Sequence, residues 1–228
     1  MTGSAIKLQF NNEDGSAIDV MIDTLIIAGW TGRDPMAMEA HIVELEKLGV
    51  KRPAAMPIFY RGAAQLLTQA PVIEVVGDHS SGEAEPVVFK LQDGLWLGIG
   101  SDHTDRKVET IDITISKQLC AKPVGKTLWR FDSVAGHWDE LIIRSYATRN
   151  GKRHLYQEGP LSKMRHPDDL TARYGVETLP AGAAMFCGTL AVHGEIASSD
   201  EFDIELEDPV HKRKMSHSYR ITTLPLAG

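Results

Sequence analysis

The sequence is poor in cysteine, in surplus positive charge and in long apolar runs. Cys120 and Cys187 are the only cysteines among 228 residues, which excludes a disulfide framework and leaves no zinc-cluster spacing. That usage fits a reducing compartment, so a cytoplasmic location is expected. A formal net charge of −7 offers no basic field for phosphate, so no nucleic-acid or membrane partner is expected. The one basic cluster, "HKRKMSH" at 211–217, reads as a solvated turn. The longest apolar runs, such as "PVVF" and "AGAAMF", are far too short to cross a bilayer. The opening "MTGSAIKLQFNNEDGS" lacks a cationic start followed by an apolar core, so no signal peptide is expected.

What is present suits a globular chain: 43% hydrophobic and 24% charged residues, over a length that buries a core unaided. Short strand-like runs punctuated by Gly, Asp, Asn and Pro dominate, including "AIKLQF", "PVIEVVG", "EPVVFKL", "LWLGIGS" and "TIDITIS". "AIDVMIDTLIIAGW" holds one strand or two, and "AAQLL" reads as a short helical turn. Asn150-Gly151 marks a hairpin, and "HPDDLTARYG" a short capped helix. The clearest helix is predicted over 34–49, with Asp34 as cap, Pro35 at the first position and Gly49 as stop. Met38, Ile42, Leu45 and Leu48 would form its buried stripe. No internal repeat or linker is evident, so residues 1–228 are expected to form one predominantly β domain of the α+β class.

Four polar constellations bear chemistry. Glu83 and Glu85 in "SSGEAEPVVF" are two apart on an extended segment and project to one face, where both carboxylates can meet one cation. Such pairs also occur on solvent-facing strands. In "SDHTDR" an extended chain puts Asp102, Thr104 and Arg106 on one face, with His103 and Asp105 on the other. A surface turn is the alternative there. A hard divalent ion wants a few carboxylates with other positions left to water or substrate, which Glu83, Glu85 and Asp102 would supply. His41 and Glu44, three apart on the predicted helix, can pair into a general base or form an exposed surface pair. Finally, Gly188 and Thr189 leave an apolar strand, where an amide and a hydroxyl can meet a carboxylate or simply turn the chain.

In order along the chain, these segments resemble the fumarylacetoacetate hydrolase superfamily. "IIAGWTGRDPMAMEAHIVELEKLGVKRPAAMPIFYR" is similar to a family pattern of G-x-N-Y, then H-x-x-E, then P-x-x-F-x-K. His41 and Glu44 fall on the H-x-x-E, and Arg61 where the lysine is expected. Glu83-Ala84-Glu85 resembles the metal-binding E-x-E, and "SDHTDRK" the N-D-x-x-x-R-D, placing Asp102 as third ligand and Arg106 near the arginine. "SKQLCAKPVG" is similar to K-S-F…P-L-G and carries over Lys117. "LPAGAAMFCGTL" resembles L-x-x-G-D-x-I-x-T-G-T-P and carries over Thr189 as a holder of substrate carboxylate. The match spans residues 24 to 222. Asn-Tyr is absent after Gly29, Leu190 replaces proline, and the 86–101 spacer is short enough to suggest a deleted connecting helix.

The resemblance implies a mixed β-roll with a few short helices, a homodimer, and a divergent branch of unknown function. It implies an enzyme using Mg2+ or Mn2+, held by Glu83, Glu85 and Asp102, on a small 2-oxo acid. The expected reaction is hydrolysis of an acylpyruvate C–C bond through an enolate. His41 with Glu44 would activate water; Lys117, Arg61, Arg106 and Thr189 would contact substrate. A decarboxylase, hydratase or isomerase, or a binding protein without catalysis, are the alternatives. His103 and Asp105 are expected either to support the site's ligands from behind or to be structural, rather than catalytic.

Overall fold

The computed structural model describes residues 5–47, 52–175 and 179–227, apart from the side chains of His41, Glu44, Leu45 and Lys47. The chain opens with a hairpin of β1 (Ile6–Asn11) and β2 (Ala17–Ile22), turned by "NNEDGS". After Asp23 it enters β3 (Thr24–Gly29), so "AIDVMIDTLIIAGW" holds two strands. Helix α1 (Pro35–Lys47) follows, its first turn capped by Asp34, whose carboxylate accepts from the Met36 amide at 2.8 Å. Ile42 on that helix is buried. The expected stop at Gly49 and the stripe positions Leu45 and Leu48 lie outside the described residues.

Next come β4 (Ile58–Gly62), β5 (Leu67–Thr68), β6 (Val72–Val76) and β7 (Ser80–Ser81). The long antiparallel pair β8 (Ala84–Leu91) and β9 (Gly94–Ser101) accounts for the short 86–101 spacer: a tight hairpin replaces any connecting helix. Beyond it lie β10 (Thr104–Asp105), α2 (Arg106–Glu109), α3 (Ile113–Gln118), β11 (Lys122–Pro123), β12 (Trp129–Arg130) and α4 (Asp132–Ala135). The hairpin β13 (Ile142–Arg149) and β14 (Lys152–Pro160) turns at Asn150 and Gly151, both at positive φ as a two-residue turn demands. Helix α5 (Pro167–Arg173), β15 (Ala183–Phe186), β16 (Glu201–Asp208) and β17 (Arg213–Leu224) complete the order.

Two mixed sheets result. The six-stranded one runs β12-β9-β8-β15-β3-β4, with β15 parallel to β3 and antiparallel to β8. The five-stranded one runs β14-β13-β16-β17-β6, with β17 parallel to β6. The six-stranded sheet is covered on both faces. Leu25, Ile27, Val87, Phe89, Ala184 and Phe186 pack under the β1–β2 hairpin. Their neighbours Ile26, Ala28, Val88, Ala183 and Met185 face the five-stranded sheet, which contributes Ile143, Phe202, Ile204 and Leu206. Burial on both faces is why "LIIA", "PVVF" and "AAMF" are continuous apolar runs. One face of the outer sheet meets solvent, so "EFDIELED" alternates instead.

Two sequence expectations fail. "TIDITIS" alternates like a strand, yet Asp112 accepts from the Ile115 amide at 2.9 Å and caps α3 over Ile113–Gln118. Ile111 and Ile115 are exposed, so the alternation marks no buried face, and the local cap outcompetes β-propensity. "HKRKMSH" is only partly a turn, because Arg213 onward runs in β17 with Met215 in the core. Among the described residues no helix is long and apolar enough to cross a membrane.

Phe89 is fully buried and meets Phe10 edge-on at 5.0 Å. Phe89→Ala is expected to lower the unfolding free energy by about 3–5 kcal/mol in denaturant titration; a loss below about 1 kcal/mol would contradict this packing.

Candidate metal centre

Strand register brings the first acidic group together. Ala84 pairs with Ser101 and Glu85 with Gly100, so the start of β8 and the end of β9 coincide. The Asp102 amide then donates to the Glu83 carbonyl at 2.9 Å. Glu83, Glu85 and Asp102 thereby offer one carboxylate oxygen each, all within 4.8 Å of one another. Glu85 and Asp102 are buried, Glu83 nearly so.

Beyond Asp102 the chain departs from a simple extended strand. Thr104 and Asp105 pair with Ser81 and Ser80, and Arg106 begins α2. Asp105 caps that helix through the Val108 amide at 2.9 Å. Arg106 reaches Glu83 and Glu109, both at 3.0 Å, and donates to Ser81 Oγ at 2.7 Å. Lys117, near the end of α3, is buried; its ammonium bonds Asp102 and lies 3.7 Å from Glu83. Lys122, fully buried on β11, lies 3.0 Å from Asp102 Oδ1 and donates to the His103 carbonyl at 2.5 Å. Three cations thus pair with Asp102, Glu83 and Glu109, and none pairs with Glu85.

These neighbours set the protonation. Burial opposes the charge on Asp102, but Lys117 and Lys122 outweigh it and hold that carboxyl at about 2. Burial also works against charged Lys117, yet Asp102 and Glu83 more than compensate and raise it. For Lys122 burial prevails and lowers it, despite Asp102. Glu85 has no cation of its own. Burial, then the charges of Asp102 and Glu83, push its carboxyl well above the usual range, and the Gly188 amide donates to it at 2.8 Å. A buried carboxyl without an ion pair, beside two others, is the environment a divalent cation would relieve. The all-oxygen donor set suits Mg2+ or Mn2+.

The other sequence candidates are distributed unevenly. Thr189 Oγ1 donates to the Ala84 carbonyl at 2.8 Å and accepts from Gln157 Nε2 at 2.7 Å, directly behind Glu85. Arg61 is exposed on β4 and donates to the Tyr174 hydroxyl at 3.2 Å. Its strand neighbour Tyr60, which projects oppositely, is the one whose ring lies 6.0 Å from Lys117 Nζ. His41 and Glu44 are on α1, but their side chains lie outside the described residues.

Sequence reasoning missed Lys122, Gln157 and Tyr219. A lysine inside the apolar stretch "CAKPV" was the available signal for the first. Gln157 accepts from the Ala84 amide at 3.0 Å and from Ser145 at 2.8 Å, a role set wholly by tertiary packing. Tyr219 donates to Ser101 Oγ at 2.8 Å. Its oxygen can then accept from His103 Nδ1 at 3.1 Å, while Ser80 donates to Nε2 at 2.9 Å. That leaves a neutral imidazole satisfied at both nitrogens, a structural histidine.

Gly188 has φ 97°, and a Cβ there would lie 1.8 Å from Thr31 Oγ1. Gly188→Ala is expected to displace the amide that holds Glu85 and to weaken Mn2+ binding at least about tenfold in calorimetric titration; unchanged affinity would refute that role. Burial, then Lys122 and Arg106, lower His103 to about 3. The unfolded chain therefore takes a proton at about 6.5 that the folded site refuses. Stability is retained above that pH and falls as pH drops toward 3. His103→Leu should flatten this slope of unfolding free energy by up to about 1.4 kcal/mol per pH unit, and an unaltered slope would count against a neutral His103.

Residues 28–219 match the family described as a protein of unknown function, DUF2848. No curated protein matches the chain. Among solved structures, a protein from Oleispira antarctica named for the fumarylacetoacetate isomerase/hydrolase class superposes with a TM-score of 0.71 at 16% identity, over 94% of this chain and 100% of that one. A fumarylpyruvate hydrolase from Pseudomonas aeruginosa, in complex with Mn2+ and pyruvate, gives 0.63 at 15% identity, over 96% and 97%. A 2-keto-3-deoxyarabinonate dehydratase gives 0.65 at 15% identity, over 89% and 75%. The chain belongs to the DUF2848 family and carries the fold of the fumarylacetoacetate hydrolases.

Proposed function

We propose that the protein is a divalent-metal-dependent enzyme that hydrolyses a C–C bond of an acylpyruvate-type 2,4-dioxo acid. The observation that carries this reading is the convergence of Glu83, Glu85 and Asp102 within 4.8 Å, with Lys117 beside them. Glu83, Glu85 and Asp102 would hold Mg2+ or Mn2+. That ion, when bound, supplies a Lewis acid for a 2-oxo carboxylate. The chain's own groups do the rest. The Gly188 amide and Arg106 fix the orientations of Glu85 and Glu83. Lys117 provides a fixed positive charge at the edge of the cluster, suited to an oxyanion that develops during cleavage. In this reading the Thr189 hydroxyl turns from the Ala84 carbonyl to donate to substrate carboxylate, and His41 with Glu44 moves the proton of the attacking water. The neighbour crystallised with Mn2+ and pyruvate supports both the metal class and the substrate class.

The fold also serves a dehydratase, and the test separates the two chemistries. Purified protein is incubated with a panel of acylpyruvates and 2-oxo sugar acids, with Mg2+ or Mn2+ added. Loss of dioxo-acid absorbance is expected, abolished by chelator and reduced at least about a hundredfold by Glu85→Gln. Metal binding without turnover of any acylpyruvate would overturn the hydrolase reading; turnover of a sugar acid instead would assign lyase chemistry.

A further inference from the structure

The turn between β16 and β17 carries a second cluster that shares no residue with the carboxylate site. Asp208 is fully buried at the end of β16. His137, from the turn after α4, places Nε2 at 3.0 Å from its Oδ1. His211, three residues on, places Nδ1 at 2.8 Å from its Oδ2. The two rings lie 4.9 Å apart between centroids. One ligand atom from each of the three residues lies within 4.8 Å of the others.

We propose that His137, Asp208 and His211 form a binding site for a borderline divalent transition ion such as Zn2+, Co2+ or Ni2+. Two imidazole nitrogens and one carboxylate oxygen are the donors such ions select, whereas Mg2+ prefers oxygen alone. Bonds of about 2.0–2.2 Å to a tetrahedral ion put its ligand atoms about 3.4 Å apart. The present N···O separations therefore open by a few tenths of an ångström. The ion takes the place of the two imidazole hydrogens now directed at Asp208. A ring that ligates the ion carries its proton on the other nitrogen instead. His211 is half exposed, which leaves an approach from solvent and a position for water.

Other groups around the carboxylate fit this arrangement. The Val210 and His211 amides donate to Oδ1, each at 3.1 Å, and fix its orientation. Arg213 Nε donates to Oδ2 at 3.0 Å. That guanidinium is itself tethered by Glu13 at 2.6 Å and Ser133 at 2.8 Å, and lies over the Trp129 ring. Its positive charge makes the site weaker than an all-neutral one, so the ion is exchangeable.

The test titrates the full chain with Zn2+ in excess Mg2+, with bound metal counted by equilibrium dialysis and elemental mass spectrometry. Wild type is expected to take up one equivalent of Zn2+, Glu85→Ala to keep it, and His211→Ala to lose it. No uptake by wild type, retention by His211→Ala, or loss in Glu85→Ala would overturn the proposal. Because Asp208 anchors a hairpin, zinc-edge X-ray absorption on the wild-type protein gives a reading independent of variants. A shell containing two imidazoles is expected, and an all-oxygen shell would refute the site.

Discussion

Three carboxylates held within 4.8 Å and largely away from water repel one another, and the surrounding structure is arranged to contain that repulsion. Burial alone would neutralise them by protonation. The chain instead lodges Lys117 and Lys122 against Asp102, and Arg106 against Glu83. Each cation arrives from a different short element after β9. Those elements are too small to be stable alone, and their positions are explained by the charges they deliver. Glu85 makes no ion pair of its own: the Gly188 amide and the more distant charge of Lys117 do not offset burial and its neighbours' repulsion. The site therefore has one member without an ion pair, and it is the one that lies within strand β8.

That imbalance links fold to chemistry. A sheet covered on both faces gives β8 and β9 a fixed register, and the register, not side-chain flexibility, sets the spacing of the acidic groups. Gln157 ties Ala84, Ser145, Thr189 and Leu190 into one network behind Glu85. Site geometry and sheet packing are thus one constraint, and loosening either disturbs the other.

Much of this was legible in the sequence because it is local. Apolar runs such as "EPVVFKL" and "LWLGIGS" reported strands, and Asn150-Gly151 reported its hairpin. The E-x-E spacing put Glu83 and Glu85 on one face of an extended segment, and the polar residues after "LWLGIG" offered Asp102 at a strand end, with a surface turn as the alternative. The illegible parts depend on distant partners. Lys122 and Lys117 look alike in "SKQLCAKPVG", and only the tertiary structure shows both turned onto Asp102. Tyr219 meets His103 across 116 residues of chain, which no periodicity encodes. The alternation of "TIDITIS" misled because a cap three residues long outweighed it.

The short strand β15 has a consequence for how the molecule is made. It lies in the middle of the six-stranded sheet, between β3 and β8, yet it is synthesised more than 90 residues after β8. Until it arrives, two apolar strand edges have no partner and Glu85 has no amide from Gly188. Non-local pairing of this kind is slow and leaves the growing chain open to association. The order of synthesis therefore makes the carboxylate cluster one of the last features to form, and an ion bound there would reward only a chain that has closed its central sheet.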